Sequence, residues 1–142
     1  VIVVRELSGN DWAEWRELRL AALREAPDAF SSTVPGGARL SEVNVLADLD
    51  ATPAGMVSGH LSGDSAELLS MWVTPDARGR GVGDALVQAM VRWSEGRGAG
   101  RLELRIAAGN QHAKALYERH GFVPQPSSDS DELEMIRQSR RE

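Results

Sequence analysis

Between Leu68 and Trp93 an apolar run, a loop of glycines and arginines, and an amphipathic stretch follow one another without interruption. Leu68, Leu69, Met71, Trp72 and Val73 make a run of strand length, and Thr74-Pro75-Asp76 supplies the turn residues that end it. Val82, Ala85, Leu86, Ala89, Met90 and Trp93 then recur at helical spacing, so a helix begins near Gly81. The junction between them reads Arg78-Gly79-Arg80-Gly81-Val82-Gly83-Asp84. A helix that opens directly after a strand presents unpaired backbone N–H groups and the positive end of its dipole, which suits a phosphate or diphosphate. Glycines let such a group approach the backbone, and Arg78 and Arg80 offer charge-assisted bonds to phosphate oxygens. An ordinary flexible turn with solvated arginines is the plainer alternative. The Walker loop, which needs Gly-Lys-Ser/Thr, and the G-x-G-x-x-G dinucleotide fingerprint are both excluded by spacing.

A second strand follows the helix. Arg97-Gly98-Ala99-Gly100 is a helix stop, and Leu102, Leu104 and Ile106 alternate with Glu103 and Arg105 over 101–107. A further helix is expected from about Asn110, which can cap it, to Gly121, and a last short strand around Leu133, Met135 and Ile136. Strand, loop, helix, strand and helix in that order form a crossover unit, which places its two strands parallel in one sheet with a right-handed connection.

Upstream the pattern is antiparallel. Ile2–Val4 reads as a strand, and a helix capped by Asn10 or Asp11 runs to about Glu25 with Trp12, Trp15, Leu18 and Ala22 along one side. Those tryptophans pack on a sheet or, in the sharper reading, one walls an acceptor pocket. Residues 28–41, around Phe30, read as a mobile loop, and Val43–Leu49 fits a short helix or a strand equally. Residues 54–61 read as a strand, turned by Gly63-Asp64 into the strand before the glycine loop. The sum is a single α/β domain of the α+β type over 1–142, with a mixed, mainly antiparallel sheet and helices on its faces.

Composition narrows the function. A net charge of −5 argues against nucleic-acid and membrane partners and favours a cationic substrate. With no cysteine, a disulfide scaffold, a thiol nucleophile and cysteine-bound zinc are excluded, and a reducing cytoplasm is the expected location. Val1 to Glu6 lacks a signal-peptide layout, and no apolar stretch approaches spanning length. His60, His112 and His120 have no metal-ligand spacing, so no metal is expected.

Asn110-x-x-Ala113-x-x-Leu116-Tyr117-Glu118-x-x-Gly121-Phe122 stands after the glycine loop. Both motifs, in this order, resemble the GNAT superfamily of N-acyltransferases, whose acyl-CoA loop reads Arg/Gln-x-x-Gly-x-Gly and whose later helix carries Asn, Leu-Tyr and a terminal Gly-Phe. The likeness is dense over 67–122 and thinner at 15–30, and the segment 33–49 is short for the family. The resemblance implies that acetyl-CoA lies in a splay between the two parallel strands. Backbone groups of Met71, Trp72 and Val73 would hold its pantetheine arm, and Arg78, Gly79, Arg80, Gly81, Val82, Gly83 and Asp84 its diphosphate. Asn110, with Ala113 on the same helix, would meet the pantetheine or thiol end, and Tyr117 would sit near the sulfur.

Direct acyl transfer to an amine needs a base for the amine and an acid for the departing thiolate. Tyr117, the only tyrosine, is the candidate acid, with core packing as its plain alternative. Glu67 and Glu103 are the candidate bases, Glu103 alternatively pairing with Arg101 or Arg105, and a water chain is a third route. The resemblance thus implies transfer of acetyl to a primary amine of a small molecule or peptide, by a chain that pairs as a homodimer. A non-catalytic acyl-CoA-binding module is the competing class. An ATP-phosphate binder lacks the lysine and the metal-binding Ser/Thr. Asp129, Asp131 and Glu132 could draw an ammonium group by their field.

Overall fold

The computed structural model describes residues 1–7, 12–25, 43–126 and 131–139. The proposed helix caps Asn10 and Asp11, the segment 28–41 expected as a loop around Phe30, and Asp129 lie outside them. The elements are β1 (Ile2–Glu6), α1 (Trp12–Glu25), β2 (Val43–Leu49), β3 (Thr52–Ser62), β4 (Ser65–Val73), α2 (Val82–Gly96), β5 (Arg101–Ala107), α3 (Gln111–Arg119), β6 (Val123–Pro124) and β7 (Glu132–Gln138). The strands form one sheet in the order β1-β2-β3-β4-β5-β7-β6, antiparallel except for the β4–β5 pair. The chain sorts into two compact units, Val1–His60 with Leu69–Leu86, and Leu61–Leu68 with Val87–Glu142.

In the first unit Val43–Leu49 is a strand. It pairs with β1 from Ile2↔Leu49 to Glu6↔Val45 and with β3 from Val43↔Gly59 to Leu49↔Thr52. Flanked on both sides, it buries Val43, Val45, Leu46 and Ala47 in near succession, which removes the clean alternation that marks a half-buried strand. Asp50 and Ala51, with φ of 51° and 70°, make the two-residue turn into β3. Trp15, Leu18 and Ala22 of α1 bury against Leu46, Met56 and Trp72, so Trp15 is a core side chain. Arg5 fastens the same helix from the polar side. Its Nε donates to Asp48 Oδ2 at 2.9 Å and its Nη2 to Glu14 Oε2 at 2.7 Å, and the bond that Asp48 accepts raises the guanidinium pKa above its ordinary value.

The second unit holds the parallel ladder, Ser65↔Arg101 to Glu67↔Glu103. β5 continues antiparallel to β7 from Arg101↔Gln138 to Ala107↔Glu132. Gly63, at φ 59°, opens the turn between β3 and β4 that the Gly-Asp pair predicts. β6, two residues paired with Ile136 and Met135, is too short to leave a periodic signal.

Candidate functional site

The glycine loop lies in the first unit and takes its shape from what anchors its ends. β4 closes with Trp72 buried, and Thr74 N–H donates to Ala54 C=O at 2.8 Å. A 3-10 turn, Pro75–Ala77, buries Ala77, and the chain is next buried at Val82, 1% exposed, where α2 begins. Between these anchors Arg78, Gly79, Arg80 and Gly81 are exposed. Gly79 and Gly81 have φ of 77° and 91°, a region where any other residue would be strained. These two glycines allow the tight turn between the 3-10 turn and the start of α2. Ala85 N–H makes a helical bond to Gly81 C=O at 3.0 Å, so the amides of Val82 and Gly83 precede that first donor and have no intrahelical acceptor. Gly55 of β3 lets α2 come this close. A Cβ there would stand 2.9 Å from Leu86 Cδ1 and 3.0 Å from Val82 Cγ1. A helix start with free amides is the kind of place that suits an anion, and Asp84 sits half-buried in the first turn of α2.

The two arginines of the loop behave differently. Arg80 is exposed, with a guanidinium nitrogen 4.0 Å from Asp50 Oδ2. Arg78 turns back on the strand: Nε donates to Val73 C=O at 3.1 Å, and the guanidinium lies over the Trp72 ring, 5.9 Å from its centroid.

The second motif lies in the second unit. Asn110 caps α3 as its sequence position predicts, its Oδ1 accepting from Ala113 N–H at 3.0 Å. Ala113 enters through its backbone, and the Asn110 side-chain NH2 is what remains to donate. Tyr117 is 3% exposed and meets Phe122 edge to face, centroids 5.5 Å apart. Gly121, at φ 88°, reverses the chain after α3, with Phe122 N–H bonded to Tyr117 C=O at 3.1 Å. That turn explains the Gly-Phe ending, because it lays Phe122 back on the tyrosine one helical turn earlier. Burial pushes the Tyr117 phenol well above its ordinary range, so it stays protonated at neutral pH.

Glu67 and Glu103 are register partners on the parallel strands, so their side chains leave the same face of the sheet. Both are half-buried. Arg101, the residue two before Glu103 on β5, puts Nε 2.6 Å from Glu103 Oε2 and 2.9 Å from Ser65 Oγ. Glu103 is thus held by a guanidinium, as one of its two sequence readings has it. Among the described residues no group of three or more His, Cys, Asp or Glu side chains is set to hold a metal, and no helix is long and apolar enough to cross a membrane.

Two features escape sequence reasoning. Ser70, three residues past the parallel ladder, has φ of 56° inside β4. A left-handed residue in a strand breaks the pleat as a bulge does and re-aims the residues after it, here Met71, Trp72 and Val73. A serine in a strand carries no sequence signal for this. Gly55 is the other, one glycine among 14, distinguishable only by the helix that crosses it.

The sequence matches the acetyltransferase (GNAT) family over residues 7–122, and the chain belongs to that family. It is 39% identical over 80 residues to a mycothiol acetyltransferase of Beutenbergia cavernae, covering 46% of this chain and 27% of that one. Over 59 residues it is 41% identical to the [ribosomal protein bS18]-alanine N-acetyltransferase of Escherichia coli, covering 42% of this chain and 40% of that one. The chain thus spans well under two thirds of the length of these relatives. In three dimensions it resembles the PaiA N-acetyltransferase of Thermoplasma acidophilum solved with coenzyme A, at a TM-score of 0.72 and 19% identity, over 97% of this chain and 99% of that one. That likeness shows the fold, a mixed sheet with one parallel pair.

Proposed function

We propose that this chain transfers the acetyl group of acetyl-CoA to a primary amine. The observation that carries the reading is the opening of α2: two left-handed glycines lead into a helix start where the amides of Val82 and Gly83 precede the first intrahelical donor, beside an exposed Arg80. Such a notch is suited to a diphosphate, and the group that the family takes as donor has one. The residues Arg78 to Asp84 form the diphosphate loop, and the backbone of Met71 to Val73 receives the pantetheine arm. The side-chain NH2 of Asn110 is the donor left over for the pantetheine or thiol end.

In the reaction the amine nitrogen attacks the thioester carbonyl, the carbon–sulfur bond breaks, and the thiolate leaves as the free thiol of CoA. Tyr117 delivers the proton to sulfur, a role supported by its being the single tyrosine of the chain and by its place on the helix that Asn110 caps. Glu67 takes the proton from the amine, directly or through water. Glu103 is the weaker candidate for that base because Arg101 already engages it. The acceptor is a small molecule or a peptide amine, drawn by a chain whose net charge is −5. A cytoplasmic location and a homodimer belong to the same proposal.

Thiol release from acetyl-CoA, screened over an amine panel that includes alanine-led peptides, tests the reading. Turnover is expected with at least one amine, and Tyr117→Phe is expected to keep CoA affinity while losing about 10² to 10⁴ in kcat. Tight CoA binding without release to any amine would instead favour a binding module. No heat of CoA binding at millimolar concentration contradicts both.

A further inference from the structure

We infer that Arg78 is a positioning residue: it straps the glycine loop to the end of β4 and does not itself hold the diphosphate. The inference rests on the reading of that loop as the CoA diphosphate site and assigns its two arginines separate tasks. From Ala77 to Val82, two buried anchors, the chain passes through four exposed residues, and two of them are glycines. Glycine gives the loop its turn but also the widest conformational freedom when unliganded. Arg78 opposes that freedom. Its Nε–H bonds Val73 C=O at 3.1 Å and its guanidinium covers the face of Trp72 at 5.9 Å. Trp72 in turn is 6% exposed and packed with Trp15, Leu18, Ala22, Leu46 and Met56. The strap therefore runs from the backbone of the loop to the core of its unit in one side chain.

Ordering a loop before the ligand arrives lowers the entropy lost on binding. Arg80 is held less closely among the described residues: its side chain is 57% exposed and its ion pair with Asp50 Oδ2 is at the 4.0 Å limit. The charge met by a diphosphate thus falls to Arg80 and to the backbone amides, and the shape of the notch to Arg78. Leaving its place to contact phosphate would cost Arg78 both its hydrogen bond and its ring contact.

Side-chain geometry gives a sharp test. Glutamine carries its N–H donor the same number of bonds from Cα as the Nε of arginine, without the charge, and methionine places a methyl group there. Hydrogen exchange of the loop amides 78–84 in the ligand-free protein is expected to speed up in Arg78→Met and to stay near the native rate in Arg78→Gln, with core amides unchanged in both. In CoA titrations Arg78→Met is expected to bind about 5- to 10-fold more weakly, the worth of one hydrogen bond. Arg78→Gln should bind within about 2-fold of the native chain and keep its salt dependence, whereas Arg80→Gln should flatten that dependence. Exchange unaltered in Arg78→Met overturns the strap whether or not CoA binds. So does an Arg78→Gln variant as weak as Arg78→Met with a flattened salt dependence, which would make Arg78 a phosphate ligand. Failure of the native chain to bind CoA would strike the diphosphate reading alone, leaving the exchange experiment to decide the strap.

Discussion

Tyr117 is the single tyrosine of the chain, and desolvation raises its phenol far above the free value. Free tyrosine titrates near pH 10, so above that the unfolded chain binds fewer protons than the folded one and stability falls as pH rises. The contribution is complete below about pH 10 and is lost as pH climbs toward the raised folded value. An alkaline titration followed by tyrosinate absorbance should therefore show no phenolate near pH 10, and phenolate only together with loss of the folded circular-dichroism signal. Reversible ionisation near pH 10 in the folded chain would place the hydroxyl in water. For the two glutamates, Glu67→Gln is expected to lower kcat by about 10², while Glu103→Gln stays within a few-fold because Arg101 already neutralises that carboxylate. The reverse order would make Glu103 the base. Placement at the residue scale was partly legible: the Asn110 cap follows from its position before a helical pattern, and core packing of Tyr117 was one of its two readings. The Arg78–Trp72 contact was not, because the phosphate chemistry of an arginine in a glycine loop suggests an outward side chain.

Among the described elements, sequence and backbone conflict at Ser70 in β4 and in the turn between β2 and β3. Both of its residues are left-handed, and Ala51, at φ 70°, occupies a place where glycine is preferred. Ala51→Gly should stabilise the chain by about 0.5–1 kcal/mol in urea unfolding, since the relief of strain outweighs the added entropy of the unfolded chain. A loss of stability would mean that the turn is held by something other than its backbone. Elements with one buried face were readable, as β5 shows: Leu102 and Leu104 are 1% exposed and Arg101 and Arg105 are exposed, so alternation survives in the sequence. β2 was ambiguous because neighbours on both sides bury it almost continuously. The crossover from β4 through α2 to β5 was legible from glycines and periodicity, but the left-handed backbone at Ser70 is one that no residue type announces.

For the whole molecule, the boundaries of the two compact units fall at His60/Leu61, Leu68/Leu69 and Leu86/Val87, inside β3, β4 and α2. Domain boundaries ordinarily fall in exposed linkers. β3, β4 and α2 run without a break through these three boundaries, so we propose that the chain unfolds as one cooperative unit. Urea unfolding should give one transition, coincident by tryptophan fluorescence and circular dichroism; two separated transitions would make the units independent. The central claim concerns a smaller part of the chain, that the backbone at the start of α2 receives the diphosphate of CoA. Backbone amide NMR during a CoA titration reads it directly. The largest shifts are predicted at Gly79, Gly81, Val82 and Gly83, saturating with a single affinity. Amides of this loop that stay in place while others shift, or a spectrum unmoved at millimolar CoA, would contradict it.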